Sequence, residues 1–240
     1  MTAFPEPSAA AAPAPSEPLH EFYLALGGRE WSVLHAGAVA VSYADESRYL
    51  RDVREKRSRL PYGVALWPSA IALAHELAAR GEEEFAGKTV LELGAGTGLP
   101  GIVAASLGAA RVVQTDRDES ALAVCRRNGE RNGATNIEYG LVDWTDWRDP
   151  ARYDWIIGAD ILYAAPLHPH LERIFRTNLV PGGGRVLLGD PFRAVGLPLL
   201  ESLDANGWNV ALTKWRLGGA DDGKDDTPRS VGVFELSPPA

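Results

Sequence analysis

The residues best suited to chemistry lie in a glycine-rich segment, Val90-Leu91-Glu92-Leu93-Gly94-Ala95-Gly96-Thr97-Gly98-Leu99. Glycine lets the backbone turn sharply and approach a ligand closely, because it has no Cβ atom. Where such a loop joins a strand to a helix, free backbone amides and the helix N-terminus favour a negatively charged group. Asp116 follows at the end of the next predicted strand, where a carboxylate can accept hydrogen bonds from both ribose hydroxyls. Together these features predict a nucleotide-type cofactor.

Two cofactors fit this loop. Gly96-Thr97-Gly98-Leu99-Pro100-Gly101 satisfies the dinucleotide pattern G-x-G-x-x-G, so NAD is one candidate cofactor. S-adenosylmethionine is favoured by Glu92, two residues before the first glycine, and by the compact spacing of Gly94, Gly96 and Gly98. The motifs further along the chain favour it as well.

Polar and aromatic residues follow the later strands. After the third strand of the domain, Asp143 or its backbone could read an adenine edge while Trp144 covers the ring face; the alternative is a surface aromatic. After the fourth strand, Asp160 is a carboxylate at the end of an apolar run. A charge is costly at such a position unless it is paired, so a specific role is expected for it. It would face the transferred group, or else cap a helix. Gly189-Asp190-Pro191-Phe192-Arg193 either lines the acceptor site or forms a turn with a local ion pair.

Strands and helices alternate along the chain, which predicts a mainly parallel sheet covered on both faces. No helix is predicted between the last two strands, so they should form an antiparallel hairpin. We therefore predict an α/β fold with a Rossmann-like, seven-stranded sheet. The predicted strands are 89–93, 111–115, 137–142, 155–159, 185–189, 208–217 and 231–236, and the predicted helices are 68–80, 99–107, 119–132, 167–179 and 197–206.

Three regions are expected. Residues 1–18 are nearly all Ala, Pro, Ser and Glu, so they should form a disordered tail. Residues 19–66 form an extension with two short strands, 31–36 and 38–43, joined near Gly37 and followed by a basic segment. Residues 67–240 form the main domain.

The formal net charge of −8 argues against nucleic acid and against an anionic membrane surface as partners. The single cysteine, Cys125, excludes an internal disulfide and a cysteine zinc cluster. His168 and His170 lack further ligands nearby, so we predict no metal site. No signal peptide or membrane span is evident. We expect a cytoplasmic enzyme that is a monomer.

Ala65-Leu66-Trp67-Pro68-Ser69-Ala70, the glycine loop, Asp116, Asp143-Trp144 and Ala159-Asp160-Ile161-Leu162-Tyr163 together resemble the seven-β-strand protein lysine methyltransferases. This group of class I S-adenosylmethionine-dependent enzymes includes the electron-transfer-flavoprotein β-subunit lysine methyltransferase and the chaperone-directed enzymes. The similarity runs from about Trp67 to Asp190. The glycine loop marks only the superfamily, whereas a tryptophan before a proline-led helix combined with D-x-x-Y is more specific. Gly189-Asp190-Pro191 resembles the flavoprotein-directed branch.

The resemblance implies S-adenosylmethionine as methyl donor, S-adenosylhomocysteine as product and a lysine of a protein substrate as acceptor. It places Asp160 and Tyr163 beside the incoming lysine as catalytic residues. With the motif residues above, the predicted cofactor contacts are Trp67, Glu92, Gly94, Ala95, Gly96, Gly98, Asp116, Asp143, Trp144 and Ala159.

Three alternatives remain open. A small-molecule N- or O-methyltransferase, acting for example on a nicotinamide-like amine, would use the same cofactor site. A NAD-dependent oxidoreductase is disfavoured by the D-x-x-Y motif and by the lack of a convincing Tyr-x-x-x-Lys pair. A module that binds S-adenosylmethionine without transferring its methyl group would not require Asp160.

Overall fold

The computed structural model describes residues 4, 18–36, 62–218 and 229–239. The predicted strand 38–43 and the basic segment therefore lie outside the described residues. In chain order the elements are β1 (His20–Leu26), β2 (Arg29–His35), α1 (Pro68–Arg80), α2 (Glu82–Phe85), β3 (Thr89–Leu93), α3 (Leu99–Ser106), β4 (Arg111–Asp116), α4 (Glu119–Arg131), β5 (Ile137–Leu141), β6 (Trp155–Ala159), α5 (His168–Asn178), β7 (Arg185–Asp190), α6 (Leu197–Ala205), β8 (Asn209–Leu217) and β9 (Arg229–Ser237).

The main sheet has seven strands in the order β5-β4-β3-β6-β7-β9-β8. The first five pair in parallel, whereas β9 runs antiparallel to both β7 and β8. The Rossmann-like fold and the antiparallel C-terminal hairpin are thus confirmed. The chain leaves β3 in one direction and returns to its other side as β6. Such a reversal of strand order opens a crevice at the carboxyl ends of the strands.

Side-chain alternation along the strands builds a core on each face of the sheet. Val90 and Ile157 pack in a cluster with residues of α1 and α3, whereas Leu91 and Ile156 pack in a second cluster with residues of α5 and α6. Because both faces are covered, the central strands are continuous apolar runs rather than alternating ones. The rigid sheet fixes where each strand delivers its last residues.

The N-terminal hairpin differs from the prediction. β1 and β2 pair antiparallel around Gly27 and Gly28, whose φ angles are 60° and 73°. The turn predicted near Gly37 is therefore not the turn of this hairpin, because the strand predicted at 31–36 pairs with the preceding residues. A Gly-Gly pair suits a two-residue hairpin loop that needs positive φ at both positions.

Asn128 of α4 connects this hairpin to the glycine loop. Its Oδ1 accepts a hydrogen bond from the backbone N–H of Leu34 (2.7 Å), and its Nδ2 donates to the carbonyls of Leu34 (3.0 Å) and Thr97 (2.9 Å). The side chain is fully buried. Asn128 is therefore one of the residues that join the extension to the domain, together with Asn132, which bonds the backbone of Ser32.

Two smaller differences concern the predicted tail and a loop. Phe4, in the predicted tail, is buried with its ring centroid 5.0 Å from that of Trp147. The acidic segment after α1, where no element is predicted from the sequence, forms the short helix α2. Within the described residues no helix is both long and apolar enough to cross a membrane, and no group of three or more potential ligand side chains could hold a metal ion.

Candidate active site

A cleft opens at the carboxyl ends of the parallel strands and encloses about 890 Å³, including the space at its mouth. Nine of the predicted site residues line it: Trp67, Gly94, Gly96, Asp116, Asp143, Trp144, Ala159, Asp160 and Tyr163. The other three predicted cofactor contacts, Glu92, Ala95 and Gly98, are not among the residues that line the cleft. Arg117 and Val142 also line the cleft, without a role assigned from sequence. Arg193 lines it too, at the end of the segment 189–193 that was expected either to line the acceptor site or to form a local ion pair.

The glycine loop forms one wall, where the backbone takes conformations that suit only glycine. The φ angles of Gly94 and Gly96 are 63° and 54°. A Cβ atom on Gly94 would lie 3.0 Å from Ile161 Cγ2 and 3.2 Å from Trp144 Cζ2, and one on Gly96 would lie 3.1 Å from the carbonyl oxygen of Gly63. A ligand can therefore approach the loop backbone closely.

A buried polar network holds the loop from behind. Glu92 Oε2 accepts hydrogen bonds from the backbone N–H of Gly101 (3.0 Å) and from Gln114 Nε2 (2.6 Å). Gln114 Nε2 also donates to the carbonyl of Gly98 (2.8 Å). Burial raises the pKa of Glu92 to about 8, against the effect of these two hydrogen bonds. Only 1% of Glu92 is exposed, and its carboxyl group supports the loop through these hydrogen bonds.

Ala95 and Gly98 also serve the loop itself. The Ala95 N–H donates to the carbonyl of Thr115 (2.9 Å), which ties the loop to β4. Gly98 has a φ of 80°, and a Cβ there would lie 2.4 Å from Cys125 Sγ. Cys125 is buried as expected for a small apolar residue, and burial raises the pKa of its thiol well above the usual range.

Asp116 lies between the loop and the cleft. Its Oδ2 accepts a hydrogen bond from the Gly96 N–H (3.0 Å) and its Oδ1 from the Asp118 N–H (3.0 Å). Burial raises the pKa of Asp116, and these backbone hydrogen bonds oppose the rise. A carboxylate oriented in this way beside a glycine loop suits a ribose diol.

The wall after β5 carries the predicted adenine-binding pair. Asp143 Oδ1 accepts hydrogen bonds from Thr145 N (2.9 Å) and Thr145 Oγ1 (2.8 Å), and these bonds lower the pKa of Asp143. Asp143 thus begins a short 3-10 turn while lining the cleft. Trp144 is only 8% exposed, so it is not a surface aromatic.

The wall after β6 is built around Asp160. This residue has a φ of 58°, and its N–H donates to the carbonyl of Gly189 (2.8 Å). Asp160 does not cap a helix, because the 3-10 helix that follows has no side-chain cap. Arg193 Nη2 lies 2.5 Å from Asp160 Oδ1, and Arg193 Nη1 lies 3.1 Å from Asp190 Oδ2. The local ion pair considered for the Gly189–Arg193 segment exists, and it also reaches the cleft.

Burial raises the pKa of Asp160 to about 6, and the Arg193 guanidinium opposes this rise. The buried Oδ2 atom of Asp160 has no hydrogen-bond partner within normal bonding geometry. The Ser69 hydroxyl, which is unpaired by the same geometry, is near enough to favour the carboxylate form. Tyr163 lines the same wall, and burial raises the pKa of its phenol.

Comparisons with known proteins agree with this geometry. A model of the lysine methyltransferase family matches residues 47–189. Mouse protein-lysine methyltransferase METTL21E is 36% identical over 127 residues, covering 48% of this chain and 50% of that protein. The histone-arginine methyltransferase METTL23 of Xenopus laevis is 34% identical over 125 residues, covering 47% and 53%. The chain thus spans about half the length of the curated relatives it matches.

Among solved structures, the methyltransferase-like SMU.776 complexed with S-adenosylhomocysteine superposes with a TM-score of 0.61, covering 95% of this chain and 57% of the other. At 18% identity this likeness shows the shared fold. The family match covers more than half of the chain and confirms the resemblance to lysine methyltransferases, but not the flavoprotein-directed branch. The chain therefore belongs to the lysine methyltransferase family of S-adenosylmethionine-dependent enzymes.

Proposed function

We propose that this chain transfers a methyl group from S-adenosylmethionine to the side-chain nitrogen of a lysine in a protein. The observation that carries the proposal is the buried carboxylate of Asp160 on the cleft wall, on the strand adjacent to the one that ends in the glycine loop. A cationic side chain entering the cleft would meet this carboxylate next to the cofactor site.

The cleft residues suit this cofactor. The glycine loop offers a surface free of Cβ atoms, Asp116 offers a carboxylate to the ribose hydroxyls, and Trp144 offers an apolar wall. When bound, the cofactor supplies an electrophilic methyl carbon on a sulfonium. The chain's contribution is alignment, which can supply about 7–11 kcal/mol of the reduction in barrier.

The lysine ammonium must lose its proton before it can attack. From an ordinary pKa near 10.4, neutralisation at pH 7 costs roughly 4–5 kcal/mol. Asp160 favours the ammonium, so its role is to capture and orient the side chain rather than to act as a strong base. Tyr163 is a poor base as well, because burial raises its pKa. We therefore assign to Tyr163 a hydrogen bond to the nitrogen and to water the removal of the proton.

A protein arginine is the second candidate acceptor. Asp160 pairs with the guanidinium of Arg193, so this carboxylate accommodates a guanidinium group as well as an ammonium. The Xenopus laevis relative carries the name of a histone-arginine methyltransferase. For lysine, Gly189-Asp190-Pro191 supports the electron-transfer flavoprotein β-subunit as the first acceptor to test.

The test uses tritiated S-adenosylmethionine with three acceptors: recombinant electron-transfer flavoprotein, a chaperone and core histones. Mass spectrometry then identifies the modified side chain. We expect Asp160→Asn to lower the rate of transfer by about 10²–10³ while the affinity for S-adenosylhomocysteine stays unchanged. Asp146→Asn is the matched control, because that carboxyl is 70% exposed and pairs with Arg148 at the surface. Normal turnover by Asp160→Asn would refute the assignment.

A further inference from the structure

We infer that Arg193 is a positioning residue for the proposed transfer: it pairs with Asp160 and Asp190 and so holds the Asp160 carboxylate ionised and in place for a cationic acceptor. The inference rests on the proposed function. It adds a residue that lies outside the D-x-x-Y motif and thirty-three positions beyond Asp160 in the chain.

Arg193 contacts both carboxyl groups. Arg193 Nη2 reaches Asp160 Oδ1 (2.5 Å), Nη1 reaches Asp190 Oδ2 (3.1 Å), and the Arg193 backbone N–H donates to Asp190 Oδ1 (2.7 Å). Their side chains are 10%, 7% and 3% exposed for Arg193, Asp160 and Asp190. The guanidinium therefore links the carboxyl ends of β6 and β7, away from bulk water.

The backbone on both sides of the contact is strained. Asp160 and Phe192 have φ angles of 58° and 64°, and no other non-glycine residue in the described ranges has a positive φ. Such conformations persist only where surrounding contacts fix them. Arg193 supplies two of those contacts. Its guanidinium pairs with Asp160, and its backbone N–H donates to Asp190 across the turn that contains Phe192.

The contact between Arg193 and Asp160 bears on the ionisation of the carboxyl group. A buried carboxylate is costly unless it is paired with a cation. Within the described residues, the groups that act on Asp160 are Arg193 and Asp190, from β7 and its following loop, and the neutral Ser69 hydroxyl from α1. Without Arg193 the two carboxylates would repel each other, and one of them would take up a proton. Arg193 therefore keeps Asp160 ionised and able to receive an ammonium.

The test measures the binding of n-butylammonium, a mimic of the lysine side chain, in the presence of S-adenosylhomocysteine between about pH 4 and pH 9.5. NMR titration gives the pH midpoint below which binding is lost, and 1-butanol serves as the neutral comparison ligand. We expect Arg193→Met to raise the midpoint by about 1–3 pH units. Arg193→Lys should keep the midpoint of the unmodified chain, because the charge remains. Arg176→Met, at an exposed position on α5, is the control and should change nothing.

Asp190→Asn gives an independent check that does not depend on how well Arg193→Met folds. Removing the second carboxylate while keeping Arg193 should lower the midpoint, and adding Asp190→Asn to Arg193→Met should bring the raised midpoint down again. The affinity for S-adenosylhomocysteine verifies that each variant is folded.

An unchanged midpoint with uniformly weaker binding in Arg193→Met would give Arg193 a merely structural role and overturn the inference. Stronger n-butylammonium binding at every pH in that variant would mean that Arg193 blocks the acceptor position, and would overturn it too. The inference would also be overturned if the unmodified chain did not bind n-butylammonium. Failure of the proposed function looks different: no protein acceptor is methylated, although the midpoint still depends on Arg193.

Discussion

The two walls of the cleft reach left-handed backbone conformations by different means. On the cofactor side these conformations fall on Gly94, Gly96 and Gly98, which adopt them at no steric cost. On the acceptor side they fall on Asp160 and Phe192, and each such residue costs about 1–3 kcal/mol. The cofactor wall, which is formed by the glycine loop 94–98, is therefore specified locally by residue type. The acceptor wall, which is formed around Asp160 after β6, depends on contacts between distant residues.

The buried carboxylates of the two walls show the same contrast. Glu92 meets neutral donors, the Gly101 N–H and the Gln114 amide, and burial raises its pKa to about 8. Asp160 meets the guanidinium of Arg193, and its pKa rises only to about 6. At pH 7 Glu92 is mainly protonated and Asp160 is mainly ionised. The contacts around Glu92 are thus hydrogen bonds between neutral groups, whereas the contact between Asp160 and Arg193 is an ion pair.

The largest expected effect concerns Glu92→Gln and the free energy of unfolding. In the unfolded chain Glu92 has its ordinary pKa of 4.5, so between pH 4.5 and 8 the folded chain binds more protons at this site than the unfolded chain. Glu92 therefore makes the protein less stable as the pH rises through this window. From pH 5 to pH 8 the loss is roughly 3–4 kcal/mol. The glutamine side chain of the variant does not titrate, so the variant should lack this loss.

Urea unfolding at several pH values, in S-adenosylmethionine-free buffer, compares the variant with the unmodified chain. The two should have similar stability at pH 5, and the variant should be the more stable at pH 8. Because all other titrating groups are shared, the difference between the two curves isolates Glu92. Parallel curves would mean that Glu92 is ionised in the folded protein, and the contrast between the walls would disappear.

Much of the fold could be predicted from the sequence because buried parallel strands are continuous apolar runs. β3 and β6 lie at the predicted bounds, 89–93 and 155–159. The sequence analysis did not predict β1 or its hairpin with β2, although Gly27-Gly28 between two alternating segments is a strong hairpin signal. The helix α2 was missed because four residues are too few to show a helical period.

The site residues also fall into two groups, those that local sequence specifies and those that depend on contacts between distant residues. Gly94, Gly96 and Asp116 could be predicted because each is required by its own local conformation or by its place at a strand end. The role of Arg193 could not, since its contact with Asp160 depends on a left-handed turn at Phe192, a residue type that does not favour that conformation. Glu92 was placed near the right loop, but sequence alone could not show which way its side chain points.

A smaller effect is expected for Asp116→Asn, which should weaken cofactor binding and leave the acceptor wall intact. The amide keeps the size of the side chain but removes the charge that two ribose hydroxyls would share. Hydrogen bonds to a charged group contribute about 1.5–3 kcal/mol, so the affinity for S-adenosylhomocysteine should fall by roughly 10- to 100-fold. Calorimetric titration measures this change. Unchanged affinity would remove Asp116 from the cofactor site.

The smallest effect is expected for Tyr163→Phe, which tests the acceptor wall alone. The variant keeps the ring and removes only the hydroxyl, and a neutral hydrogen bond contributes about 0.5–1.5 kcal/mol. Methyl transfer to the acceptor should therefore slow by roughly 2- to 10-fold, with the affinity for S-adenosylhomocysteine unchanged. A rate loss as large as that of Asp160→Asn would instead make the phenol essential to proton removal. In that case the acceptor wall would contribute acid–base chemistry as well as charge and orientation.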